Sequence, residues 1–156
     1  MTQKVKTYMT QEGYDQMTKE YETLKRERPE FVKKLTQAAE MGDRSENAAY
    51  SNAKQKLRST DSRLRFLKKI IDHTIVATPS QTKYVEIGSY VRVRFQGGKC
   101  TFHIVGLHEA DPLKKKISYK SQVGSALINS RVGDIVKISL EDRVIEYEVM
   151  KIMLKS

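Results

Sequence analysis

Asp43 and Glu46 are the residues of this chain whose type and spacing suit chemistry. They stand three positions apart in Gly42-Asp43-Arg44-Ser45-Glu46-Asn47-Ala48-Ala49-Tyr50, a short break between two long heptad-patterned stretches. Mg2+ takes about six oxygens in a rigid octahedron, and one or two protein carboxylates commonly hold it while water and phosphate supply the rest. Two acids therefore cannot hold the ion alone, but they can complete a site half-built by another molecule. Spacing by itself favours a plainer reading, in which Glu46 stabilises the positive end of the following helix and Asp43 is a turn residue.

The elements that must position these acids are legible on both sides. Tyr14, Met17, Tyr21, Leu24, Arg28, Phe31, Leu35 and Ala38 recur at alternating steps of three and four, the seam of a coiled coil. Tyr50, Ala53, Leu57, Thr60, Leu64, Leu67 and Ile71 repeat the pattern on the far side. So few residues separate the two stretches that the helices must turn back on each other, which predicts an antiparallel hairpin with the acids at its tip. Each arm should reach roughly 40 Å at 1.5 Å per residue. Thr10 is predicted to cap the first helix, with Glu12 near its positive end, and Gly42 to stop it; Ser45 is predicted to cap the second. Pro29 violates the pattern by removing a helical hydrogen bond. A kink or irregular turn is expected over residues 25–29, and not a helix end, because the seam continues in phase through Phe31 and Leu35.

The chain has 156 residues and a formal charge of +10, with no apolar run long enough to span a bilayer. Its start, Met1-Thr2-Gln3-Lys4, lacks the apolar stretch of a signal peptide, so a cytoplasmic location without membrane contact is expected. The single cysteine, Cys100, excludes an internal disulfide and is expected to be a buried thiol in a strand. His73, His103 and His108 lack metal-ligand spacing and are read as surface or packing residues.

Charge is concentrated on the second helix. Lys54, Lys56, Arg58, Arg63, Arg65, Lys68 and Lys69 face a single Asp61 within residues 54–69. A charge run is usually a solvated face, yet first-helix charges are themselves mixed, and unpaired positive charge on a projecting rod favours a polyanion. Because the aromatic residues sit on the seam, such contacts would go to phosphate and be insensitive to sequence. Lys54, Arg58, Arg65 and Lys69 are the candidates for contacting RNA.

Beyond Asp72 the periodicity changes to two. Ile75-Val76-Ala77 reads as a short strand before a linker; Val91, Val93 and Phe95 are followed by Phe102 and Ile104 past a Gly97-Gly98 turn. Residues 116–119 read as a strand, 124–128 as a short helix ending near Asn129, and 135–140 with 144–152 as a hairpin with a bulge at Met150. The fold class is therefore α+β: an antiparallel helical hairpin over residues 1–78 and a small, mostly antiparallel sheet domain with a short helix over 79–156. The second part carries no phosphate-cradling glycine motif and no recognisable nucleophile set, and by itself reads as a docking domain.

The tip run resembles that of the bacterial Gre transcript-cleavage factors, usually Gly-Asp-x-Ser-Glu-Asn-Ala-x-Tyr. Met9-Thr10-Gln11-Glu12-Gly13-Tyr14 is similar to that family's helix entry, and Ile117-Ser118 through Ser121, Ala126-Leu127 and Val132-Gly133-Asp134 to its C-terminal domain. Arg26-Glu27-Arg28-Pro29-Glu30, Arg44 and the arginine-rich second helix make the GreB-like branch the closer match. The resemblance implies a C-terminal fold like that of FK506-binding prolyl isomerases, used to bind RNA polymerase. It also implies a monomer whose coiled coil enters the polymerase's secondary channel, where Asp43 and Glu46 bring a shared Mg2+ and its water to the backtracked RNA 3′ end. The polymerase, and not this chain, would be the enzyme. Gly42, Ser45 and Asn47 would shape the tip, and Arg44 would steady RNA there. Gln122 departs from the family pattern where a proline often follows Ser121, Glu141-Asp142-Arg143 replaces a Pro- and Gly-containing turn, and Ala49 replaces an acid. A channel-blocking relative that inhibits the polymerase is one rival, although its signature would be an altered tip. A basic structural protein that binds nucleic acid is the other, although it leaves the acids at the apex unexplained.

Overall fold

The heptad spacing and the two-residue alternation each produce the element they require. In the computed structural model, which describes residues 6–42 and 47–155, helix α1 runs Gln11–Ala39 and helix α2 runs Ala48–His73. Every seam position on either helix is at least half-buried, with Met17, Ala38, Thr60 and Leu67 the most enclosed. Cross-helix contacts fix the direction. Glu20 meets Arg63, Arg28 meets Asp61, the Lys56 ammonium lies 5.1 Å from the centre of the Phe31 ring, and the Ala38 carbonyl meets Asn47. As the α1 partner climbs in number the α2 partner falls, which is an antiparallel hairpin. α1 does not end at Pro29, as expected, but residues 25–29 are helical throughout and the irregular turn expected there is not found.

The periodicity divides the chain once, between residues 78 and 79, whereas packing divides it twice. The chain up to Tyr14 joins that from Thr74 onward in one compact unit, and Asp15–His73 forms the other. A strand too short to show alternation in the sequence accounts for this: β1 (Thr7–Met9) pairs in parallel with β2 (Thr74–Val76), Thr7 opposite Thr74. The same unit holds a five-stranded sheet of β3 (Tyr90–Phe95), β4 (Gly98–Val105), β5 (Lys116–Ser118), β6 (Ile135–Ser139) and β7 (Val144–Met153), in the order β5-β4-β3-β7-β6. All its pairings are antiparallel except β4 with β5.

The β3–β4 hairpin turns at Gln96-Gly97, one residue earlier than expected. Both residues have positive φ, 48° and 75°, as a two-residue turn matched to strand twist requires. The bulge falls at Met150: Arg92 faces Lys151 and Val93 faces Val149, so one residue of β7 is left over. Inward-facing Val91, Val93, Phe102, Ile104, Tyr147, Val149 and Ile152 pack with Leu127 of α3 (Gln122–Leu127) into one core. Ser121 caps α3 by accepting from the Gly124 N–H at 3.0 Å, and Gln122 Nε2 donates to the Ser139 carbonyl at 2.8 Å, tying α3 to β6 where the family pattern often has proline. Cys100, expected to be buried, is only half-buried; it sits on β4 opposite Val93, near the Gln96-Gly97 turn of the β3–β4 hairpin, and partial burial still pushes its thiol up.

Candidate functional site

Asp43, Arg44, Ser45 and Glu46 lie outside the described residues, and Gly42 and Asn47 flank them. α1 tightens as it ends. The Glu40 N–H is shared between the Thr36 and Gln37 carbonyls, and the Met41 N–H turns to Ala38 at 3.2 Å. Gly42 follows with φ +118°, a conformation open to glycine at little cost, and a Cβ there would meet nothing within 4 Å, so backbone shape and not crowding selects the residue.

The cap of α2 is Asn47, not Ser45, since the helix starts at Ala48 and a cap must immediately precede it. Asn47 Oδ1 accepts from the Tyr50 N–H at 3.1 Å and its backbone carbonyl from the Ser51 N–H at 3.0 Å. The amide nitrogen of the same side chain bonds elsewhere. Asn47 Nδ2 donates to the Ala38 carbonyl at 2.7 Å, one of the carbonyls left over at the end of α1. One amide thus satisfies a stray donor of α2 and a stray acceptor of α1, joining the two helices on either side of residues 43–46. The motif's spacing places Asn47 directly before the helical run, which was the available signal for this cap.

Two bidentate ion pairs cross the rod. Arg28 Nε and Nη2 reach the Asp61 carboxylate at 2.6 and 3.2 Å, and Arg63 meets Glu20 at 2.7 and 3.0 Å. The hydrogen bond from Arg28 holds the Asp61 carboxyl below the usual carboxylate range, and this pairing explains a charged residue in the seam. Of the candidate RNA contacts, Lys54, Arg58 and Arg65 line one groove on α2 with Leu57 and Asp61; Lys69 is not part of that lining. Arg63 and Lys68 have acidic partners, Glu20 and Asp72. Lys54, Arg58 and Arg65 thus lie together on one side of α2, whereas Lys56 and Lys69 lie outside that groove.

In the sheet unit, His103 is buried and stacks on Tyr90 with ring centroids 3.9 Å apart. Burial, aided by Lys116, pushes its imidazole below the ordinary histidine range, against the opposing pull of Glu109 and Glu12. Among the described residues, no group of three or more His, Cys, Asp or Glu side chains could hold a metal ion. No described helix is long and apolar enough to cross a membrane.

A two-helix hairpin whose connecting residues carry two acids in the sequence, together with a small sheet domain, is the architecture that the family resemblance implies. Residues 7–76 match the N-terminal model of the GreA/GreB transcription elongation factors, and residues 80–154 match the C-terminal one. The chain belongs to the GreA/GreB family of transcription elongation factors. It is 37% identical to transcription elongation factor GreA 1 of Lactiplantibacillus plantarum, over 92% of this chain and 94% of that one. It is 39% identical to GreB of Yersinia pestis, over 93% of this chain and 87% of that one. Identity at this level to both names assigns the family without separating the GreA and GreB branches. Among solved structures, GreA factor homolog 1 (Gfh1) of Thermus thermophilus matches with a TM-score of 0.45 and 24% identity, over 95% of this chain and 99% of that one.

Proposed function

We propose that this factor binds bacterial RNA polymerase, inserts its helical hairpin into the secondary channel and stimulates the polymerase's own cleavage of backtracked RNA. Arrested complexes would thereby resume elongation. The observation that carries this reading is the bridge by which Asn47 joins α1 to α2, immediately after Asp43 and Glu46 in the sequence. Membership of an elongation-factor family supports the same reading.

Asp43 and Glu46 are the residues that would hold Mg2+, jointly with the polymerase. The donor set fits a shared ion and not a resident one, since two carboxylates leave most of an octahedral shell to other molecules. When bound, the ion supplies charge neutralisation at the scissile phosphate and a water of lowered pKa. The chain's own part is to deliver the two carboxylates, either of which can accept the proton of the attacking water. Arg44 would steady RNA at the tip, and Lys54, Arg58, Arg65 and Lys69 would follow its phosphates. The factor acts as a monomer within the cytoplasm.

The test is incubation with stalled, backtracked bacterial RNA polymerase and Mg2+. The expected result is a shortened RNA whose new 3′ end can be extended. An unshortened transcript, with the factor demonstrably bound to polymerase, refutes the proposal.

A further inference from the structure

The start of α1 is held by an acid that does not belong to it. In a capping box the cap residue is followed three positions later by Glu or Gln, whose side chain returns to the cap's backbone N–H. Here that third position is Gly13, and Glu109 arrives instead from a short 3₁₀ turn, Leu107–Glu109, after β4. Glu109 Oε2 accepts from the Thr10 N–H at 2.9 Å and from the Gly106 N–H at 2.7 Å, while Oε1 takes a short hydrogen bond from the Thr10 hydroxyl. The Thr10 hydroxyl oxygen in turn accepts from the Gly13 N–H at 3.2 Å, completing the cap.

Two glycines make room for this carboxylate. A Cβ on Gly13 would stand 2.0 Å from Glu109 Oε1, and one on Gly106 would stand 2.3 Å from the Tyr8 carbonyl and 2.9 Å from Glu109 Oε2. A helix needing only a cap would be served by Glu at residue 13. The arrangement found does something a local cap cannot, because it joins the first turn of α1 to the loop after β4 within the same compact unit. α1 then runs unbroken to Ala39, four residues before Asp43.

We propose that Glu109 is a positioning residue for transcript cleavage: by anchoring the first turn of α1 to the sheet domain, it fixes the root of the rod that delivers Asp43 and Glu46. This inference rests on the functional reading above. Rate is sensitive to such anchoring because a misplacement of about 1 Å at a reacting centre can lower it about a hundredfold.

Three variants test it: Glu109→Ala, Glu109→Gln, and Glu109→Ala combined with Gly13→Glu, which places the acid in the helix itself once the obstructing carboxylate is gone. Glu109→Ala is expected to lower the cleavage rate at saturating factor about tenfold, leave the half-saturating concentration within about twofold, and speed hydrogen exchange at the Thr10 amide. The double variant should recover helix content and Thr10 protection without recovering the rate. Glu109→Gln keeps one acceptor oxygen and should fall between parent and Glu109→Ala; it carries the rate test should the alanine variant not fold. Recovery of the rate by the double variant would show that the acid only caps a helix, and would overturn the proposal. So would an unchanged saturated rate in Glu109→Ala, or a loss confined to half-saturation. A parent factor that binds polymerase without stimulating cleavage overturns the functional reading and this inference together, whereas an active parent with an equally active Glu109→Ala overturns this inference alone.

Discussion

Replacing Asn47 separates its two roles. Asn47→Ala removes an N-cap, worth about 1 kcal/mol in the usual range, and the hydrogen bond to the Ala38 carbonyl, worth about 1 kcal/mol net. The helical hairpin should therefore lose about 2 kcal/mol, since both groups sit at one half-buried position. Asn47→Ser keeps a side-chain acceptor that caps as well as asparagine but is too short, and lacks the amide, to reach Ala38. It should lose only about 1 kcal/mol. Denaturant unfolding followed by helical circular dichroism measures both values, and backtracked-complex cleavage measures the consequence. Both variants should cleave more slowly than the parent at saturating factor, because each opens the frame around Asp43 and Glu46. A serine variant that is about 1 kcal/mol weaker yet cleaves at the parental rate would refute the idea that the bridge frames the acids.

Asp43→Ala or Glu46→Ala should nearly abolish RNA cleavage while polymerase binding and folding persist; parallel loss of binding and cleavage would remove the acids from the chemistry. Replacing Lys54, Arg58, Arg65 and Lys69 together with Ala should slow cleavage of long backtracked RNA more than short. That deficit should shrink as salt rises, because counterion release is what such contacts contribute. Equal action on both lengths at low salt would reduce the stripe to a solvated face. His103, with its folded-state pKa depressed, predicts that the unfolded chain binds a proton first as pH falls through about 6.5. Stability is then full above that pH and declines below it by at most about 1.4 kcal/mol per pH unit. His103→Phe keeps a ring against Tyr90 and should flatten this slope below about pH 6.5; an unchanged slope assigns it elsewhere.

The sequence was most readable where one residue's neighbours decide its place. The seam from Tyr14 to Ile71 follows from the 3.5-residue repeat, and the Met150 bulge from a slip in a two-residue one. It was least readable where partners are distant. Nothing near Thr7-Tyr8-Met9 announces a strand, because its partner β2 lies far along the chain and three residues show no period. Glu109 was invisible for the same reason, although an absent acid at the third position after Thr10 was a clue that one must come from elsewhere. Ser45 failed as a cap because composition could not choose between two capping residues lying two positions apart, whereas the first helical residue could.

The ion pairs change how the net charge should be weighed. A stripe of seven cations on α2 looks like a uniform field, yet Asp61 and Glu20 are committed to Arg28 and Arg63 in fork-to-carboxylate geometry. Those pairs hold α1 and α2 in register, and being exposed they contribute more to geometry than to stability. Lys54, Arg58 and Arg65 are left along one groove, with Asp61 beside them already occupied by a guanidinium. A polyanion approaching that side of α2 would meet three cations along one groove, while exposed Lys25, Arg26, Lys33 and Lys34 also place positive charge on α1. Under the proposed function this groove matters, because a phosphate backbone drawn along it would be guided toward the start of α2 at Ala48. Asp43 and Glu46, which precede α2 in the sequence, would then meet a phosphate already partly neutralised by these cations, which lowers the repulsion two carboxylates would otherwise exert on RNA.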